Sequence, residues 1–223
     1  MNMMRHVMMC LAVSLLSVPL AYGQDFSKYR NFSLGTSLTE LSKQIDRKPA
    51  DASVIYQSPA LIQELTWSPE QSHQASAPSE TVQQILFSFY NGNLYRIVVT
   101  YEFFGTEGLT AEDMVRAFSA KYGPATRPAA EANPPAIVAV TAGQTIAFWE
   151  DSKYRLNLSR FSLSSTFHFA MFSKQLNGQA EAAIAEAVKQ EREDAPQREN
   201  ALLKKAGEDL EMKRQANLKT FRP

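Results

Sequence analysis

Apolar and polar residues along this chain follow two periods, near 3.6 and near 2, and each switch between them marks an element. Leu38, Leu41 and Ile45 fall at helical spacing. Ser37 ahead of them and Glu40 three places later form a capping-box pattern, so a helix opens at Ser37 and closes before Pro49. Val54 to Tyr56 and Leu61 to Trp67 read as strands parted by Ser58-Pro59, and a polar loop covers 68–80. Val82 to Tyr90 and Leu94 to Phe104 are rich in aromatic and β-branched residues, joined by Asn91-Gly92-Asn93. Asn and Gly tolerate the positive φ of a tight turn, so this pair predicts a hairpin.

The order then restarts. Gly105 and Gly108 break the strand, and Thr110 caps a second helix with Glu112 and Asp113 in its first turn. Met114, Val115, Phe118 and Tyr122 form its apolar stripe, and Gly123-Pro124 stops it. After a Pro/Ala-rich loop at 124–136, strands are predicted at 137–141, 144–150, 153–160 and 165–173. The turns between them are Ala142-Gly143 and Glu150-Asp151-Ser152. The fold class is α+β. Gly35-Thr36-Ser37 and Gly108-Leu109-Thr110 occupy matching places, which suggests two tandem helix-plus-antiparallel-sheet modules with a period of roughly 75 residues. The modules span 24–105 and 106–175.

From 176 to 223 the composition turns to Ala, Glu, Lys, Gln and Arg, all good helix formers. Leu176, Ala180, Ile184 and Val188 recur every four residues. Pro196 interrupts, and Leu203, Ala206, Leu210 and Asn217 follow at mixed spacing. This predicts a solvated, partly frayed pair of helices, with a spacer or partner-binding arm as the functional alternative.

The N-terminus carries Arg5, then an apolar run from Val7 to Leu20, then Ala21-Tyr22-Gly23 with small residues at −3 and −1. That is the layout of a cleavable signal peptide over residues 1–23, cut near Gly23-Gln24. The run is too short for a membrane-spanning helix, so no transmembrane segment is expected in the mature chain. Cys10, the only cysteine, leaves with the signal. A cysteine-free exported chain suits the bacterial envelope, with a periplasmic or secreted location. Lys+Arg and Asp+Glu balance at 23 each. Neither half forms a basic stripe, which argues against nucleic-acid binding.

The helix that follows Gly35-Thr36-Ser37, with its aromatic-rich hairpin, resembles the small envelope modules of the BamE and β-lactamase-inhibitor-protein type. The resemblance covers roughly residues 32–173. It implies a non-enzymatic protein-binding role, with another envelope protein as partner.

Candidate chemistry is sparse. His73 falls in a polar loop. Alternation places His168, Ala170 and Phe172 on one sheet face and Phe167, Phe169 and Met171 on the other. Ser162, Ser164 and Ser165 lie near His168 without a nucleophile-elbow pattern. Glu150-Asp151 reads as turn chemistry, and Glu102 as an outward strand position. No metal-ligand or phosphate-loop spacing occurs, so no metal or other cofactor is expected. The binding candidates are Tyr90, Tyr95, Tyr101, Phe103 and His168, with Phe104 beside them. An exposed set would mark a partner surface. A pocket walled by the hairpin, bringing His168, Glu102 or Glu150 together, would instead mark a small-ligand carrier or a hydrolase.

Overall fold

The computed structural model describes residues 24–69, 81–128, 143–161 and 166–222. The signal-peptide segment 1–23, His73, the strand expected at 137–141 and Ser162, Ser164 and Ser165 lie outside the described residues.

The chain is α+β. Two short strands, β1 (Lys28–Tyr29) and β2 (Phe32–Ser33), pair with each other. Helix α1 (Leu38–Gln44) follows, with Ser37 and Glu40 closing the expected capping box. Strands β3 (Ser53–Tyr56), β4 (Ile62–Trp67), β5 (Val82–Tyr90) and β6 (Asn93–Tyr101) come next. After β6 stand a single helical turn, α2 (Phe103–Thr106), and helix α3 (Ala111–Tyr122). Strands β7 (Gln144–Glu150), β8 (Tyr154–Arg160) and β9 (Phe167–Ser173) lead into the C-terminal helix (Lys174–Thr220).

The β5–β6 hairpin turns on Asn91 and Gly92, both at positive φ (48° and 80°). Such a turn matches the right-handed twist of the flanking strands. Its tip is also an anchor. The Asn91 N–H donates to the Leu61 carbonyl at 2.8 Å, and the Asn91 Oδ1 accepts from the Leu61 N–H at 3.0 Å. The Gly92 carbonyl accepts from the Leu38 N–H at 2.9 Å, so the turn also sets where α1 begins.

Strands β3 to β9 form one antiparallel sheet in the order β3-β4-β5-β6-β9-β8-β7. The two halves of the chain meet at β6 and β9, where Val99 opposes Phe169 and Ile97 opposes Met171. Side chains therefore align in rows across the join. One row is Leu65, Phe87, Ile97, Met171, Leu156 and Trp149; another is Trp67, Ile85, Val99, Phe169, Leu158 and Ala147. This face is covered by Leu38 and Leu41 of α1, Met114, Val115 and Tyr122 of α3, and Phe26, Tyr29 and Phe32 before α1, in one continuous core. Phe118 stacks on Phe169 with ring centroids 4.3 Å apart, and the Trp149 indole N–H donates to the Gly123 carbonyl at 2.8 Å.

The opposite face is covered only in part. A register shift between Ser88 and Phe89 leaves Tyr95 unmatched in the β5–β6 ladder, a β-bulge. The bulge interrupts strict alternation. Leu94 joins the main core, while Tyr95 packs with Ile62 against Ala180 of the C-terminal helix. Leu176 and Ile184 complete this second seam together with Tyr56 and Tyr90. The first turns of the helix are thus a docked element.

Three expectations need correction. The strand predicted to run to Phe104 stops at Tyr101, because Glu102 turns outward as an N-cap and its carboxylate accepts from the Phe104 and Gly105 N–H groups. The tail is not a frayed helix pair broken at Pro196 but one helix of 47 residues running through it. Pro196 leaves the Arg192 carbonyl without its usual donor. One carbonyl earlier, the Arg198 guanidinium donates to Glu191 at 3.1 Å, and the surrounding Ala, Glu, Gln and Arg favour the helical state. Last, Leu176 to Ile184 lie against the sheet rather than in solvent, since their spacing matches an apolar strip on it.

Candidate functional site

Helix α3, the turn around α2 and the Tyr29-Arg30 segment enclose a cleft of about 320 Å³. Its floor is apolar and aromatic: Tyr101 from the end of β6, and Met114 and Phe118 from α3. Gly105, Thr106, Leu109 and Ala117 form the walls. Thr106 is held in place by its own hydroxyl, which donates to the Glu102 carbonyl at 2.9 Å. The phenols of Tyr29 and Tyr101 share a hydrogen bond of 3.1 Å, and the Tyr122 hydroxyl donates to the Lys28 carbonyl at 3.0 Å. Burial pushes the Tyr101 and Tyr122 phenols well above their usual range, so both stay protonated.

Two cations stand at the rim. The Lys121 ammonium lies 5.0 Å from the Tyr122 ring centre and 6.0 Å from that of Tyr29. The Arg30 guanidinium lies 5.6 Å from the Tyr29 ring. Partial burial pulls the Lys121 amine below its usual value, and the Arg30 charge adds to the effect. Both act against the ammonium form, and Asp25 opposes them only weakly.

The hairpin residues expected to gather at one site are dispersed. Tyr101 alone of them reaches the cleft. Tyr90 and Tyr95 lie on the other sheet face, beneath the C-terminal helix, because alternation and the bulge send them there. Phe103 is 43% exposed and Phe104 77%, edge to face with each other on the turn outside the sheet. His168 sits on β9 with Thr100 Oγ1 3.3 Å from its Nδ1 and the Phe161 ring 4.4 Å away. Neither Glu102 nor Glu150 approaches it. Glu102 caps α2, and Glu150 pairs with Lys174 at 2.8 Å. That hydrogen bond from Lys174 lowers the Glu150 carboxyl below its ordinary value and ties the helix start to the β7–β8 turn. Asp151 serves the same turn, accepting from the Lys153 and Tyr154 N–H groups at 2.7 and 2.6 Å. Among the described residues, no group of three or more His, Cys, Asp or Glu side chains is placed to hold a metal ion. Nor is any described helix long and apolar enough to cross a membrane.

His168 has a measurable consequence. Burial lowers its imidazole below the ordinary 6.5. Between the folded and unfolded values the unfolded chain binds more protons, so the stability held above pH 6.5 is lost as pH falls below it. His168→Gln is expected to flatten this segment of the stability curve. Urea unfolding of both proteins between about pH 7 and pH 5 checks it: parallel curves would mean that the histidine titrates alike in both states.

Beyond the sheet the molecule offers a second feature. From Glu191 to Arg222 every residue of the C-terminal helix and its end is exposed, including Leu202, Leu203, Leu210, Met212, Leu218 and Phe221. Among the described residues, the salt bridge of this stretch joins near neighbours on the same helix, Glu211 and Arg214 at 2.8 Å.

A family model, the TP0088 domain, matches residues 27–177. The chain belongs to the TP0088-domain family. The match takes in the β1–β2 pair, the whole seven-stranded sheet, its covering helices and the cleft. It ends one turn into the C-terminal helix, so the exposed stretch of that helix lies beyond the family domain. No curated protein and no solved structure matches the chain.

The sequence had Met114, Phe118 and Tyr122 as a core stripe but missed Lys121, Arg30 and Tyr29 as their companions. Lys121 directly precedes the last aromatic of that stripe in a helix whose final turn favours a cation. That placement was the one legible signal.

Proposed function

We propose that this is an exported, non-enzymatic binding or scaffold protein of the bacterial envelope, in which the TP0088 domain mounts a projecting helix that holds another envelope protein. The observation that carries this reading is the exposed run from Glu191 to Thr220, with five large apolar side chains exposed on it (Leu202, Leu203, Leu210, Met212 and Leu218). Thirty residues of helix reach about 45 Å. Leu203 and Leu210 stand at i, i+7 on one stripe, and burying such a stripe against a partner groove is a recurrent mode of recognition. The N-terminal signal pattern supports export. The matched outward order of β6-β5-β4 and β9-β8-β7 from their shared seam supports tandem modules resembling the BamE and β-lactamase-inhibitor type.

The docked seam decides where the helix should be cut. Truncation at 173 would strip the cover from Ile62 and Tyr95, whereas truncation at 190 keeps it. Affinity capture from envelope extract should therefore compare 24–223 with 24–190. The expected result is a partner held by the longer form and lost from the shorter. A partner held by both would move the binding surface to the sheet domain, and capture by neither would sink the reading.

A second reading, a small-ligand carrier, draws support from the cleft under α3. The hydrolase variant of it gains none, because His168, Glu102 and Glu150 occupy three separate places.

A further inference from the structure

We propose that the cleft beneath α3 binds a small amphipathic carboxylate, with its apolar body on Tyr101, Met114 and Phe118 and its anionic head at Lys121 beside Arg30. The proposal rests on the carrier reading and adds the ligand's chemical class.

A volume of about 320 Å³ falls at the lower end of what small-molecule sites enclose, so the occupant is one short chain or one ring. Most of the lining is carbon: Met114, Ala117, Phe118, Leu109 and the ring faces of Tyr29 and Tyr101. Burying an apolar body there gains from each CH₂ removed from water. Most hydroxyls in the lining are engaged within the protein already. Tyr29 and Tyr101 hydroxyls bond each other, and Thr106 bonds the Glu102 carbonyl. A second polar end on the ligand would find little to meet, so one polar end is favoured.

That end belongs at the rim, where the sign of the charge is set. Among the described residues, the Lys121 ammonium has aromatic faces near it and no carboxylate within ion-pair distance. Its desolvation and the nearby Arg30 charge both weigh against the charged form, Asp25 opposes them only weakly, and a bound carboxylate would add to that opposition. A ligand cation would instead meet the Lys121 ammonium with like charge. A neutral alcohol of the same length would gain the apolar contact alone.

The test uses the chain 24–223 with octanoate, octanol and octylamine as probes, followed by calorimetry and by NMR shifts of backbone amides. Octanoate is expected to bind with a Kd below about 1 mM, shifting residues around Tyr101, Leu109 and Phe118, and octanol about tenfold more weakly. Lys121 is exposed, so Lys121→Gln should fold normally. It should bring octanoate down to the level of octanol while leaving octanol unchanged. Ala117→Phe, also at an exposed helix position, should fill the cleft and abolish binding of both. Octanol or octylamine binding as tightly as octanoate would overturn the carboxylate class while leaving a carrier. No binding of any probe by about 10 mM, or shifts confined to another face, would overturn the site and the carrier reading together.

Discussion

Phe169→Ala should lower the free energy of unfolding by about 3–5 kcal/mol. Phe169 is fully buried at the centre of the sheet, opposite Val99 on β6 and Leu158 on β8. Its ring lies parallel to Phe118 at 4.3 Å and within 5.7 Å of both Tyr29 and Tyr122. Four separate segments of chain therefore meet on one side chain. None can move into the void without dragging a strand or α3, so the cavity stays open and the cavity term is added to the lost transfer energy. Urea denaturation of wild type and variant measures the difference. Phe104→Ala, at a ring 77% exposed, is the control and should change stability by less than about 0.5 kcal/mol. A similar small change for Phe169→Ala would mean that the two half-sheets do not share a core.

Ala180→Glu is expected to cost about 3 kcal/mol, by a different route. Ala180 is fully buried between the C-terminal helix and the outer sheet face, against Ile62 and Tyr95. A glutamate there must either carry its carboxylate into an apolar seam or peel the first turns of the helix away. The second course exposes Ile62 and Tyr95, so the docking free energy caps the penalty. Two measurements separate these outcomes: total stability in urea, and hydrogen exchange across β4 and β6. Ala201→Glu, on the exposed stretch of the same helix, should shift stability by less than about 0.5 kcal/mol. If the two substitutions prove equally silent, the helix does not dock where Ala180 places it.

These two residues also show what kind of information each level carries. Phe169 was legible: alternation in Phe167-His168-Phe169-Ala170-Met171-Phe172 assigns it to the face of Phe167 and Met171, and that face is the buried one. Ala180 was half legible. Its four-residue spacing with Leu176 and Ile184 marked a helix stripe, yet nothing local said that a sheet surface waited for it. Glu102 misled, because a carboxylate between Tyr101 and Phe103 reads as a strand position. Only the geometry at the end of β6 turns it into a cap for Phe104 and Gly105. The cleft was least legible of all. It joins Tyr29 and Arg30, Tyr101, and the span from Gly105 to Tyr122, which no window on the sequence views at once.

The sequence by itself determined the local states: the capping box at Ser37, the helix cap at Thr110, the Asn91-Gly92 hairpin, the alternating strands and the helical tail. Each is governed by interactions among residues within a turn or two, or across one tight loop, so a short window contains the whole cause. Only the tertiary structure decided the pairing of β6 with β9, the bulge that sends Tyr95 beneath the helix, and the cleft with Lys121 and Arg30 at its rim. These depend on which apolar surfaces find one another across many residues. The hydrophobic effect that drives them is proportional to buried area and indifferent to chain separation, so it leaves no local mark to read.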